Sequence, residues 1–384
     1  MSKKVLVGLS GGVDSAVAAY LLKEQGYDVT CAFMRNWDAF ANNDILGNPT
    51  IGNDVCPQEQ DYMDAKAVAD KLGLELLRVD FVKEYWDNVF TYFLDEYGKG
   101  RTPNPDILCN KYIKFDAFMN YARKLGFDLL ATGHYARVEH GEHESKMLRG
   151  LDDNKDQTYF LCQVSQSSLK QTLFPIGELQ KSEVREIAKR LELDSVSSKK
   201  DSTGICFIGE RNFKNFLQNY LPSKDGDIID VNTKEVLGRH SGVLYYTIGQ
   251  RKGLGIGGNK GPWFVVGKNV EKNLLYVTNG EENDWLFSTS CIVSNVNWFS
   301  ADKPSGDYKC TAKFRYRQKD HDVSICFISE DVVLCSYPQG VSSVTCGQEA
   351  VFYQGEVCLG GGVIEEVFKE GESLAAKLEQ FLNA

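Results

Sequence analysis

The chain has 384 residues, 42% hydrophobic and 25% charged, and its 43 basic against 53 acidic side chains leave a net charge of −10. This length predicts two or three domains at ~150 residues each. The acidic balance excludes a protein that coats nucleic acid or anionic membrane through bulk charge, and no apolar run approaches the roughly 20 residues of a spanning helix.

Met1-Ser2-Lys3-Lys4 leads directly into Lys4–Leu9, which reads as a buried strand, so a cytoplasmic protein without a signal peptide is expected. Ser15–Gln25 reads as a helix with Val17, Ala18, Leu21 and Leu22 on one face, closed by Gly26. Val29–Met34 is the next strand, and Asn36–Cys56 has no period and reads as a loop beside the site. A helix over Gln60–Leu72, a strand over Leu74–Val79, helices over Tyr85–Tyr97 and Asn110–Leu125 and a strand over Asp128–Thr132 follow. This rhythm predicts an α/β domain over 1–222, a doubly wound parallel sheet with helices on both faces. Beyond residue 222 glycines cluster and short alternating runs take over, such as Cys310–Arg317, Ser324–Ile328 and Ala350–Tyr353. They predict a small central β domain (223–287), a C-terminal β-barrel (288–368) and a helical tail (369–384). The glycine runs at 253–258 and 360–362 read as β-turn glycines, since no helix follows either.

Ser10-Gly11-Gly12-Val13-Asp14-Ser15 joins the first strand to the first helix. Small residues there let backbone N–H groups approach a phosphate at the positive end of a helix. A tight turn capped by Ser and Asp would use the same residues. The hexapeptide lacks the Gly-Lys-Ser/Thr ending of a Walker A loop and does not fit G-x-G-x-x-G. It resembles the PP-loop of ATP pyrophosphatases, which implies ATP binding.

The eleven cysteines are scattered, odd in number and without a C-x-x-C pair, so neither a disulfide framework nor a zinc ribbon is suggested. Cys109 follows Pro103-Asn104-Pro105-Asp106 at the expected start of a helix, where a thiol is activated. Asp106 either relays a proton or caps that helix, and capping is the better reading of Asp106 alone. Cys206 lies in Lys199-Lys200-Asp201-Ser202-Thr203-Gly204-Ile205-Cys206-Phe207-Ile208. The lysines and turn formers suit a reactive thiol, while Ile-Cys-Phe-Ile suits a buried one, which is slightly the better reading of the local pattern alone. In Thr311–Lys319, period-two alternation puts Lys313, Arg315, Arg317 and Lys319 on one strand face, suited to RNA phosphates. An ordinary solvated strand has the same pattern.

Ser10–Ser15, Phe33–Trp37, Pro103–Asn110, Thr132–Tyr135, Lys155–Leu161 and Ser202–Gly209 together resemble the tRNA-specific 2-thiouridylase family. Tyr246–Arg251, Lys313–Gln318 and Leu359–Gly362 extend the resemblance over residues 4 to 365. It implies replacement of the 2-oxygen of the wobble uridine by sulfur, with ATP and Mg²⁺. Gly8, Leu9, Ser10, Gly11, Gly12, Val13, Asp14, Ser15, Met34 and Gly133 would bind the nucleotide. Asn104, Pro105 and Asp106 would meet the target base, and His134, Lys155, Asp156, Gln157, Arg315, Tyr316 and Gln348 would contact tRNA. Cys206 would carry a persulfide from a sulfur-relay protein or cysteine desulfurase, and Cys109 would be the second thiol, with Asp106 as acid/base. Direct persulfide attack and prior release of hydrosulfide both remain open, and a monomer is expected. The rival readings are another PP-loop enzyme adenylating a small carboxylate or nucleotide, and a non-catalytic nucleotide-binding RNA module.

Overall fold

The computed structural model describes residues 2–50, 57–197, 199, 212–257, 261–300 and 306–383. The first part contains β1 (Lys4–Gly8), β2 (Asp28–Arg35), β3 (Glu75–Asp80), β4 (Leu129–Ala131), β5 (Ala136–His140), β6 (Ser145–Arg149) and β7 (Thr172–Leu173). Five of these form a parallel sheet in the order β3-β2-β1-β4-β7. The alternation of β1 explains its double winding. Val5 and Val7 face one core with α1 (Val13–Glu24) and α2 (Pro57–Leu72). Leu6 faces another core, shared with Ala32, Met34 and the helices of residues 82–124. Strand order reverses at β1/β4, which opens a crevice at the carboxyl ends of those strands.

Helix boundaries depart from the expectation in one informative place. The helix expected at 110–125 starts five residues earlier, at Pro105, and continues through a π-helical stretch, Cys109–Ala117, to Lys124. Pro105 suits the first helical position, where its missing N–H costs nothing. Asn104 is the cap, accepting from the Asp106 N–H at 3.2 Å. The cap expected of Asp106 is therefore supplied by its neighbour.

The second sheet has β8 (Asp225–Asp230), β9 (Val236–Ser241), β10 (Trp263–Asn269) and β11 (Leu274–Asn279), in the order β10-β11-β8-β9. The third contains β12 (Phe287–Trp298), β13 (Tyr308–Lys313), β14 (His321–Phe327), β15 (Val333–Ser342), β16 (Glu349–Gln354) and β17 (Val357–Lys369). It closes into a barrel where β12 pairs with β17. Gly360–Gly362 lie within β17 at this closure, not in a turn. A Cβ on Gly360 would lie 1.8 Å from the Asn297 carbonyl, and one on Gly362 would lie 2.5 Å from that of Ser294. Glycine is required there because two backbones cross closely. The hairpin β5–β6 extends the barrel sheet through Met147 and Leu148 beside Cys358 and Val357, so backbone pairing ties the first domain to the barrel. The tail helix Leu374–Asn383 packs Leu378 beside Val231 and Tyr276 of the central sheet.

The alternating strand expected across 311–319 is overturned. β13 ends at Lys313, and the chain turns through 314–317 with Arg317 at φ +63°. The four cations do not share a strand face.

Candidate functional site

The crevice at β1/β4 is built around the glycine-rich loop. Gly11 takes φ +77°, and a Cβ there would lie 2.3 Å from the Asp61 carbonyl. The Ser15 hydroxyl donates to the Gly12 carbonyl at 3.0 Å and accepts from the Ser10 N–H at 3.1 Å, which pins the loop to the first turn of α1. Gly12 is the N-cap without a side-chain hydrogen bond, so the N–H groups of that turn depend on other acceptors. Leu9 and Val13 are buried in the core below. From β4, Gly133 presses on this turn: its Cβ would stand 2.6 Å from the Ser15 nitrogen. Met34, near the end of β2, lies beside Gly8 and is almost fully buried. The expected nucleotide residues therefore converge on one helix end.

The cations around this loop come from residues outside the expected set. Lys181 Nζ lies 2.8 and 2.9 Å from the two Asp14 oxygens, and the Tyr135 hydroxyl donates to Asp14 at 2.8 Å. Lys199 donates to the Gly11 carbonyl at 3.1 Å and pairs with Asp61 and Asp64. Burial lowers the Lys199 pKa, but its bonds and charges with Asp64 and Asp61 outweigh this and raise it. Lys199 was legible as part of a basic pair. Lys181 had no local signal, because its partner lies 167 residues away.

His134 is buried, with Nδ1 2.7 Å from the Thr132 hydroxyl and Nε2 3.3 Å from Lys114 Nζ. Burial, reinforced by the Lys114 charge, holds it well below the ordinary imidazole range. A neutral ring accepting from Lys114 at Nε2 carries its proton on Nδ1, directed at Thr132.

Asn104, Pro105 and Asp106 form the start of the 105–124 helix, and Cys109 sits one turn in, fully buried in the core shared with Met34 and Phe118. The segment before it is held by the barrel, and its Thr102 hydroxyl lies 3.5 Å from that of Thr247 in the central domain. The Thr102 N–H donates to the Cys346 carbonyl at 3.0 Å, and its carbonyl accepts from Gln348 at 2.7 Å. Arg315, also expected at RNA, donates through Nη2 to the Ile248 carbonyl at 2.6 Å and to the Thr345 hydroxyl at 2.7 Å. It thereby joins barrel to central domain, and burial lowers its pKa. The Tyr316 ring lies 4.4 Å from that of Phe160, whose carbonyl accepts from Asn110, next to Cys109.

Like His134, Arg315 and Gln348, two more residues expected at tRNA have polar groups committed inside the fold. The buried Asp156 carboxylate accepts from the Gly150 and Thr158 N–H groups. The Gln157 side chain accepts from the Tyr135 N–H at 2.9 Å, which fixes the segment after Gly133. Lys155 is half-buried on the same turn. Cys206 lies outside the described residues.

The comparisons with known proteins cover the same architecture. Residues 3–210 match the tRNA methyl transferase HUP domain, 214–279 the tRNA methyl transferase PRC-barrel domain, and 288–364 the aminomethyltransferase beta-barrel domain. The tRNA-specific 2-thiouridylase MnmA of Mycoplasma mycoides is 56% identical over 376 residues, covering 96% of this chain and all of that one. The protein of the same name from Mesoplasma florum is 57% identical over 374 residues, with 96% and 100% covered. That from Bacillus cytotoxicus is 54% identical over 373 residues, with 97% of each chain covered. With near-complete coverage in both directions at such identity, the chain belongs to the tRNA-specific 2-thiouridylase family.

Proposed function

We propose that this chain carries out ATP-dependent 2-thiolation of the wobble uridine of tRNA. The observation that carries the reading is the glycine-rich loop at the β1/β4 switch point, with Gly133 against the helix end and the Asp106/Cys109 helix on the opposite face of the same sheet. A helix N-terminus with a loop lacking bulky side chains suits a polyphosphate. The uridine C2 oxygen is a poor leaving group. Its attack on the α-phosphate expels pyrophosphate and converts that oxygen into part of departing AMP. The terminal sulfur of a Cys206 persulfide then bonds to C2 as the C2–O bond breaks. Cys109 thiolate attacks the Cys206 sulfur, freeing 2-thiouridine and leaving a Cys109–Cys206 disulfide for an external thiol to reduce. In the alternative order, Cys109 first releases hydrosulfide, which attacks C2.

Asp106, in the first helical turn ahead of Cys109, serves as acid/base beside Asn104 and Pro105 at the base. His134, Lys155, Asp156, Gln157, Arg315, Tyr316 and Gln348 border the tRNA side. The interior bonds of Asp156, Gln157 and Arg315 support a role in shaping that surface. Among the described residues no group of three His, Cys, Asp or Glu side chains is placed to hold a metal. Magnesium enters this proposal with the triphosphate, whose charge it would neutralise as pyrophosphate departs. The sulfur source is a persulfide-bearing protein, and the working unit is a monomer in the cytoplasm. Among the described residues no helix is long and apolar enough to cross a membrane.

The test combines purified protein, ATP, a labelled persulfide donor and unmodified tRNA, followed by nucleoside analysis. Labelled 2-thiouridine and tRNA-dependent release of AMP and pyrophosphate are expected, both absent without ATP. Normal thiolation by the Cys206→Ser and Cys109→Ser variants would remove the sulfur-transfer assignment. ATP cleavage dependent on a small carboxylate instead of tRNA would favour the other PP-loop chemistry.

A further inference from the structure

Asn36 follows the last residue of β2, at the carboxyl edge of the parallel sheet. It is fully buried. Among the described residues it is the one buried side chain whose donor and acceptor both lack a hydrogen-bond partner. Such an amide bears the desolvation penalty of its nitrogen and its oxygen with no bond to offset either. A leucine of the same branched shape would bear none, so packing alone gives no reason for an asparagine there.

The residues on either side fix the backbone that carries this amide. The Arg35 carbonyl accepts from the Phe81 N–H at 2.7 Å, and the Arg35 guanidinium pairs with Asp38 and, at 2.8 Å, with Asp80. The Trp37 ring lies 4.8 Å from that of Phe90 and 6.0 Å from that of Phe216, and its Nε1 donates to Asp44 at 3.1 Å. Continued by one residue, the alternation of β2 puts Asn36 on the side of Ala32 and Met34. Ala32, Met34 and Trp37 share a core with Ile107, Leu108 and Cys109. A pre-set amide with unused donor and acceptor thus lies on the side of the sheet that carries Cys109.

We infer that Asn36 reads the target base, its side-chain oxygen accepting from uracil N3–H and its nitrogen donating to uracil O4. A primary amide presents one acceptor and one donor side by side, which matches that edge. The same grip leaves O2, the oxygen to be adenylated, unengaged. Asn36 and Cys109 are both enclosed in this structure, so entry of the base uncovers the two together. The inference rests on the thiolation reading above and adds a base-reading residue to it.

The experiment measures single-turnover thiolation by the full-length wild type, Asn36→Leu and Asn36→Ala on tRNA carrying uridine or 4-thiouridine at the wobble position. Urea denaturation and calorimetric titration with ATP accompany it. Sulfur at C4 accepts a hydrogen bond more weakly than oxygen and leaves the C2 oxygen in place. On uridine, Asn36→Leu is expected to be at least about tenfold slower than wild type, the loss of two hydrogen bonds. Its urea midpoint is expected to be no lower than that of wild type, and its ATP affinity unchanged. Wild type is expected to prefer uridine to 4-thiouridine by about tenfold and the variants by under about threefold, because sulfur's electronic effect is common to all three proteins. If Asn36→Leu does not fold, Asn36→Ala carries the comparison of the two bases. A uridine preference as large in the folded variants as in wild type would overturn the base-reading role, as would a wild-type rate in Asn36→Leu. ATP affinity reduced as far as the rate would overturn it too, moving Asn36 to the nucleotide. Failure of the wild-type protein to thiolate either tRNA would instead strike the underlying reading and this role with it.

Discussion

Gly133→Ala tests whether the contact between β4 and α1 builds the nucleotide site. The added methyl would lie 2.6 Å from the Ser15 nitrogen, 2.7 Å from the Asp14 carbonyl carbon and 3.0 Å from its oxygen. All three are backbone atoms, so no rotamer change relieves the overlap. The turn they belong to is held by the Ser15–Gly12 bond and the Lys181–Asp14 pair. Reaching the 3.4 Å at which ordinary contact begins requires the loop after β4 and the first turn of α1 to part by about 0.8 Å. Overpacking of this kind costs about 1–3 kcal/mol. A misplacement near 1 Å in a reacting site lowers rates by about 100-fold. Urea denaturation should therefore show a loss within that range, and tRNA thiolation should fall by roughly one to two orders of magnitude even where the protein is folded. Gly238→Ala is the control, because its Cβ would meet nothing within 4 Å. Wild-type stability and thiolation in Gly133→Ala would refute the reasoning.

Arg315→Ala removes two hydrogen bonds from a guanidinium that joins the barrel to the central domain. It should cost about 1.5–3 kcal/mol in denaturation and weaken tRNA binding with a flatter salt dependence, at unchanged ATP affinity; an unchanged melt and salt slope would remove both roles. Because His134 is held below its ordinary pKa, mainly by burial and also by Lys114, the unfolded chain takes up its proton first as pH falls. Its contribution is present above about pH 6.5 and is lost toward acid at up to about 1.4 kcal/mol per pH unit. The gap in urea stability between pH 7.5 and 5.5 should therefore shrink in His134→Gln, and an unchanged gap would contradict a neutral buried ring. Burial has the opposite effect on Glu349, raising its carboxyl well above the usual range, and its Oε2 has no hydrogen-bond partner among the described residues. Stability from that group is present at low pH and lost as pH rises through the raised value, so Glu349→Gln should be the more stable protein at pH 8 by chemical denaturation. A lower midpoint there would show that the charge is compensated.

The loop Ser10–Ser15 and the βαβα rhythm were legible because each is a local pattern: strand, small residues, helix start, amphipathic helix. The helix start at Pro105 lies five residues ahead of the expected Asn110 because periodicity registers only the amphipathic part of the helix, while Asn followed by Pro marks a cap and first-turn pair. The strand at 311–319 failed for a different reason. Alternation of cations and aromatics cannot report that the chain turns at 314–317, where Phe314 enters the barrel core and Arg315 reaches across to Ile248.

The sequence by itself determined the order of domains, the phosphate-type loop and the family, because these depend on local periodicity and contiguous motifs. Only the tertiary structure decided how the loop's charge is balanced and how the three domains meet at Thr102. Asp14 and Lys181 are 167 residues apart, and Gln348 reaches Thr102 across 246. Such pairings are set by chain crossings in space, and no local spacing encodes them. Tertiary structure also recast the charge total of −10. The protein places individual cations against chosen carboxylates and carbonyls, and a sum over the chain carries no record of that placement.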